Sequence, residues 1–222
     1  PSLYPRLPYD LMRDYAPISL LGIAPYVLTV HPTLPVKSVK ELVALAKAKP
    51  DELRFGSGGN GSGAHLAGAM FNSLANVKMV HVPYKGGGPA MVDLVAGQLQ
   101  LSYLTYTSSN SFIRGGRLRA LGVTTARRSA ALPDMPAIAE SIPGYDSAVW
   151  YGVLAPAGTS GEIIARLNRE LLAALKNNDL RQRLMTEAFE PIGTPPEELG
   201  AYMKSEIARW AKVIKDAGIA QQ

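Results

Sequence analysis

The chain has 222 residues, 47% hydrophobic and 18% charged, enough apolar surface for a substantial core and too much for intrinsic disorder. Having no cysteine, it is excluded from disulfide scaffolds, thiolate zinc sites, iron–sulfur clusters and cysteine nucleophiles. The net charge of +5 comes from basic residues scattered without interleaved aromatics, which argues against a nucleic-acid partner; the most apolar stretch, 18–30, is interrupted by Gly22 and Pro25 and is too short to span a membrane.

The chain opens Pro1-Ser2-Leu3-Tyr4-Pro5, with no Met and no signal-like segment, so it is expected to start downstream of the protein's own beginning. Strand-like runs at 18–23 and 26–30 flank Pro25. Ser38 and Glu41 form a capping-box pattern that predicts a helix through Leu42, Leu45 and Ala46, stopping before Pro50. A short strand at 53–55 runs into the glycine-rich stretch 56–63, after which helical periodicity begins with Ser62 as N-cap.

A strand at 79–82 leads into a second glycine cluster, 83–88, and a helix at 89–96 that stops at Gly97. Strands are expected at 99–104 and 118–124, and an irregular surface crossing at 126–144, where Pro133, Pro136 and Pro143 interrupt any regular element. A strong strand at 148–154 contains Trp150, read as hinge or core. Beyond it, Ile163, Ile164, Leu167, Leu171, Leu172 and Leu175 mark one helical stripe. Thr194 with Pro195 at the first helical position opens a last helix closed by Gly218. The alternation predicts an α/β fold, with a central lobe over 26–146 and a second lobe from 1–25 and 147–222.

Gly56, Gly58 and Gly61 satisfy the spacing of a dinucleotide-binding loop between strand and helix. That chemistry wants a carboxylate about twenty residues on to hold a ribose hydroxyl. Met79-Val80-His81-Val82 stands there instead, and neither glycine cluster continues into Lys and Ser or Thr as a Walker loop would. A nucleotide-dependent oxidoreductase using Gly56, Gly58 and Gly61 is therefore the alternative reading.

The same loop suits a small anion, because glycines admit a ligand to the backbone amides and the following helix presents free N–H groups. Ser57, Asn60 and Ser62 add polar tips without fixed positive charge, which fits reversible carboxylate capture; the same glycines also suit a plain strand-to-helix turn. Neither serine has the flanking glycines of a nucleophile elbow, and His31, His65 and His81 lack zinc-ligand spacing, so they are read as structural and no metal is expected. Tyr84 and Lys85, in the second cluster, offer a hydroxyl or flat wall and a charge, or are loop residues.

The segments Phe55-Gly56-Ser57-Gly58-Gly59-Asn60-Gly61-Ser62, His81-Val82-Pro83-Tyr84-Lys85-Gly86, Leu132-Pro133-Asp134-Met135-Pro136 and Trp150-Tyr151-Gly152 strongly resemble the Bug-type extracytoplasmic solute receptors of tripartite tricarboxylate transporters. The resemblance implies a type II, Venus-flytrap periplasmic-binding architecture with two crossover strands. It implies a periplasmic, monomeric receptor, without catalysis or cofactor, that takes a mono-, di- or tricarboxylate or aromatic acid and hands it to membrane subunits of a transporter. Ser57, Gly58, Gly59, Asn60, Gly61, Ser62 and Gly63, with Tyr84, Lys85 and Gly86, are the ligand contacts it implies. Members often carry an Asp after the strand that here runs into Leu104-Thr105-Tyr106, and further chain before Pro1 that includes a glycine-rich loop.

Overall fold

The computed structural model describes residues 1–4 and 6–219. The chain forms two compact units, Ala24–Val149 and Pro1–Ile23 with Trp150–Gln222. It passes from one to the other within strand β1 (Tyr15–Val30) and strand β6 (Ala148–Pro156).

In the Ala24–Val149 unit, β1 is followed by α1 (Val39–Ala48), β2 (Arg54–Ser57), α2 (Gly63–Ala75), β3 (Val80–Pro83), α3 (Gly87–Val95), β4 (Leu101–Thr105), α4 (Tyr106–Arg114) and β5 (Arg119–Val123). The sheet runs β3-β2-β4-β1-β5. Strands β3 and β4 lie parallel to β2, whereas β1 is antiparallel to β4 and β5. The three parallel strands therefore end together, at Ser57, Pro83 and Thr105, and each is followed by the start of a helix. Tyr26 pairs with Thr105, bringing β1 to the same edge.

Helix α2 is largely buried, and its small inward residues Ala64, Ala67, Gly68 and Ala69 let it lie close to the sheet. Phe55 and Tyr103 meet edge to face beneath it, as do Phe71 and Tyr145, and the Tyr145 hydroxyl donates to Ala67 O at 3.1 Å.

The other unit adds α5 (Gly161–Leu175), α6 (Asn178–Thr186), β7 (Glu190–Pro191) and α7 (Pro196–Asp216). Its core joins Leu20, Leu199 and Met203 to Trp150, Leu154 and Tyr202, so Trp150 is a packing residue set edge to face on Tyr202.

Several local expectations are revised. Strand β1 is continuous through Pro25: its pairing with β7 ends at Ile23 and that with β4 begins at Tyr26, so the missing proline N–H interrupts neither. Glu41 reaches past Ser38 and accepts from Lys37 N–H at 2.8 Å, although Ser38 caps α1 as expected. The stretch 126–144 contributes to the core through buried Ala137, Ile138 and Ile142, and Val123 N–H donates to Pro136 O at 2.9 Å.

Helix α7 starts one residue late, with Pro195 as N-cap, because Thr194 is bound to β1: its hydroxyl accepts from Leu20 N–H and its N–H donates to Ser19 Oγ, both at 3.1 Å. Of the α5 stripe only Leu175 is buried, and Ile163 and Leu167 are exposed among the described residues.

Gly68 has a steric role. A Cβ there would overlap the Phe55 ring, which is itself locked beneath α2. Replacing an interior helical glycine by alanine gains about 1 kcal/mol of helix propensity, whereas overpacking costs about 1–3 kcal/mol. Gly68→Ala is expected to lower the urea-unfolding midpoint; a raised midpoint would contradict this packing.

Candidate functional site

At the shared end of β2, β3 and β4 lies a cavity of about 340 Å³, lined by backbone and side chains of Gly58, Ser62, Ala64, Gly87, Gly88, Met91, Leu104, Thr105 and Ser108 and by the rings of Tyr26 and Tyr103. It belongs wholly to the Ala24–Val149 unit. Residues from the first turns of α2, α3 and α4 border it, so three helix N-termini, with N–H groups outside the helical ladder, and three positive dipole ends meet there. None of these helices has an acidic residue in its first turn, whereas α1, α5, α6 and α7 carry Glu41, Glu162, Asp179, and Glu197 with Glu198. None of the lining residues is charged. The helices that touch the cavity thus lack the internal carboxylates that would compete for its amides.

The glycines have separate tasks. Gly59 and Gly61 have φ of 123° and 73°, in the left-handed region. A Cβ on Gly58 would crowd the Gly86–Gly87 backbone at 3.3 Å, and one on Gly63 would overlap Tyr26. Beyond the last β2–β3 pair, Tyr84 N–H donates to Ser57 O at 3.0 Å and Gly86 N–H to Gly58 O at 3.2 Å, which fastens the two loops together.

Side chains complete the fastening. Ser57, 1% exposed, shares a 2.6 Å hydrogen bond with His81 Nε2 and bonds to both N–H and C=O of Gly59. His81 stacks on His65 with ring centroids 3.7 Å apart, and His65 Nδ1 accepts from Gly61 N–H at 3.0 Å. Ser62 Oγ caps α2 by accepting from His65 N–H at 3.3 Å. Burial lowers the pKa of both imidazoles, and His81, further disfavoured by a charge on His65, falls to about 4. The stacked pair is therefore neutral near pH 7.

The expected site residues thus separate. Gly58 and Ser62 line the cavity, with Gly63 and Gly86 directly beside it. Ser57, Gly59 and Gly61 shape the loop. The Tyr84 hydroxyl donates to Asp93 Oδ2 at 2.7 Å; burial first and then Asp93 push its pKa up to about 12. Asn60 and Lys85 are exposed and do not line the cavity. The other lining residues, Tyr26, Ala64, Gly87, Gly88, Met91, Tyr103, Leu104, Thr105 and Ser108, lie outside the expected set. The signals available were the triple glycine, which starts α3 two residues before the expected Pro89, and Thr105 as an N-cap residue followed by Ser108.

Tyr103 lines the cavity while almost fully buried, and its hydroxyl makes no hydrogen bond of ordinary geometry, although Tyr145 lies beside it. A larger hollow of about 450 Å³ in the other unit is lined by Tyr4, Leu7, Tyr9, Leu11 and Met12; its one carboxylate, Asp10, accepts from Met12 and Arg13 N–H. No helix N-terminus borders it.

Residues 1–219 match the family described as tripartite tricarboxylate transporter family receptor. A protein of Pseudomonas sp. strain P51, described as the UPF0065 protein in the tcbD–tcbE intergenic region, is 39% identical over 95% of this chain, which spans 63% of that relative's length. Among solved structures, R. palustris Rpa4515 with adipate is 37% identical with a TM-score of 0.89, over 98% of this chain and 73% of that one. The periplasmic binding protein BugD is 31% identical with a TM-score of 0.86, over 100% of this chain and 75% of its own.

The histidine stack carries a pH signature. An unfolded His81 takes up a proton near pH 6.5, whereas the folded one resists until about 4. Its stabilising contribution is therefore full above pH 6.5 and is lost as the pH falls towards 4. His81→Gln is expected to flatten the fall in unfolding free energy between pH 7.5 and 4.5; equal slopes in both proteins would contradict it.

Proposed function

Because the chain belongs to the tripartite tricarboxylate transporter receptor family, we propose that it is the ligand-gripping part of a solute receptor that captures a small organic acid and presents it to the membrane subunits of a transporter. Its α/β fold is that of periplasmic binding proteins such as BugD, which supports a periplasmic location. Among the described residues no helix is long and apolar enough to cross a membrane. The family and the related structures are receptors, and no comparison supports the nucleotide-dependent oxidoreductase reading of Gly56, Gly58 and Gly61.

The observation that carries the reading is the convergence of three helix N-termini, all without first-turn acids, on one cavity whose lining has no charged side chain. We place one ligand carboxylate against the amides at Gly63–Ala64, Gly87–Gly88 and Tyr106–Ser108, with the hydroxyls of Ser62, Thr105 and Ser108 around it. Gly58 and Gly86 keep the backbone open at the entrance, and Ser57, Gly59, Gly61 and Tyr84 hold the shape. Asn60 and Lys85 stand at the exposed margin. Adipate bound by the R. palustris relative makes dicarboxylates the first class to try.

Each hydrogen bond from an amide to a charged oxygen contributes about 1.5–3 kcal/mol. A few of them, with no opposing cation, suit capture followed by release. Calorimetric titration with unsubstituted C4–C8 dicarboxylates and benzoate is expected to give saturable binding of at least one; flat titrations throughout would contradict the reading.

Gly87→Asp tests the placement. A Cβ at Gly87 meets nothing within 4 Å, and an acid in the first helical turn favours the helix by about 0.3–1 kcal/mol, so folding is expected to persist. Two like charges about 6 Å apart at an effective dielectric of about 20 repel by about 3 kcal/mol, which corresponds to about hundredfold weaker binding. Unchanged affinity in a folded variant would place the carboxylate elsewhere.

A further inference from the structure

Taking the cavity at α2, α3 and α4 as a carboxylate site, its remaining lining constrains the ligand atoms next to that carboxylate. Loops 58–62 and 84–86, helices α2 and α4 and strands β1 to β4 contain no Asp or Glu at all. Helix α3 contains one, Asp93, and it accepts the Tyr84 hydroxyl at 2.7 Å. Four carbonyls at this edge already accept hydrogen bonds. Ser57 O accepts from Tyr84 N–H, Gly58 O from Gly86 N–H, Gly59 O from Ser62 N–H and Ser57 Oγ, and Thr105 O from the hydroxyls of Ser108 and Ser109. The apolar part of the lining consists of Ala64, Met91 and Leu104 and the rings of Tyr26 and Tyr103.

A cation in such a place loses water, gains no anionic partner and faces three positive helix ends. We propose that the cavity selects acids whose carbon beside the bound carboxylate carries no ammonium group: plain aliphatic or aromatic carboxylates, and not α-amino acids. The proposal rests on the carboxylate reading of the cavity. It makes the neutral residue at the α4 N-cap, Thr105, a determinant of specificity. Thr105 is exposed and its side chain makes no capping bond to α4, while aspartate is a favoured N-cap residue, so Thr105→Asp introduces a carboxylate into the lining at no cost in capping.

The test takes the tightest-binding unsubstituted C4–C8 dicarboxylate and two derivatives, one with an amino group and one with a hydroxyl beside each carboxylate. Substituting both ends means that neither can enter without its substituent, and the hydroxyl derivative controls for size. The diamino acid is expected to bind at least tenfold more weakly than the parent, with the dihydroxy acid within about threefold of it. Thr105→Asp is expected to weaken the parent acid at least tenfold and to narrow or reverse its advantage over the diamino acid. Equal affinity for the parent and diamino acids, or equal losses with amino and hydroxyl groups, would overturn the selection while leaving the carboxylate site intact. Failure of every unsubstituted acid to bind would overturn the carboxylate reading and this proposal together.

Discussion

Two peptide hydrogen bonds, Tyr84 N–H to Ser57 O and Gly86 N–H to Gly58 O, carry the β2–β3 ladder past its last paired residues and into the loops. They hold the amino ends of α2 and α3 at one place, and a side chain on Gly58 would push that junction apart. Ser57, His81, His65 and Gly61 extend the fastening across the first loop through one short hydrogen bond, one ring stack and one hydrogen bond from the Gly61 N–H to His65 Nδ1. Preorganisation follows, because amides already fixed by neighbouring bonds lose little freedom when an oxygen arrives. The serine and histidine side chains act on loop shape, and the amides proposed to bind are other ones.

The electrostatic design is distributed. A lysine or arginine would hold a carboxylate by a single strong charge; here the positive potential comes from three helix termini worth about 0.3–1 kcal/mol each, up to about 2 in partly buried geometry. The first-turn acids of α1, α5, α6 and α7 have no counterpart at this site, so those termini remain available to a ligand. On the proposed carboxylate reading, the lack of a nearby anion makes the site selective as well as attractive: an acidic ligand gains from all three helices, and a zwitterion loses part of that gain through its own ammonium.

What was legible in the sequence was local. Ser38 and Ser62 announce helix starts by spacing, and the glycine runs announce sharp turns at strand ends. Helix α4 was invisible because Tyr106–Arg114 is mostly polar, with one buried residue, Ser109, and thus no apolar period. Tyr26 could not be assigned to the cavity because its neighbour Thr105 is remote in sequence, joined only by the antiparallel pairing of β1 with β4. The triple glycine has the composition of a turn, yet Gly87 and Gly88 are already helical; glycine's poor propensity conceals a helix start tied to the neighbouring loop by Gly86 N–H to Gly58 O. The stacking of His81 on His65, which joins β3 to α2, has no sequence signature.

The central claim is that backbone amides at three helix starts form the binding surface. Amide-resolved NMR during titration with adipate tests it most directly. The account predicts saturable shifts concentrated at Gly63, Ala64, Gly87, Gly88, Tyr106, Thr107 and Ser108, with His31 and the amides of α1 unchanged. Shifts confined to residues 1–12, around the larger hollow, with those seven amides unmoved at saturation, would contradict it.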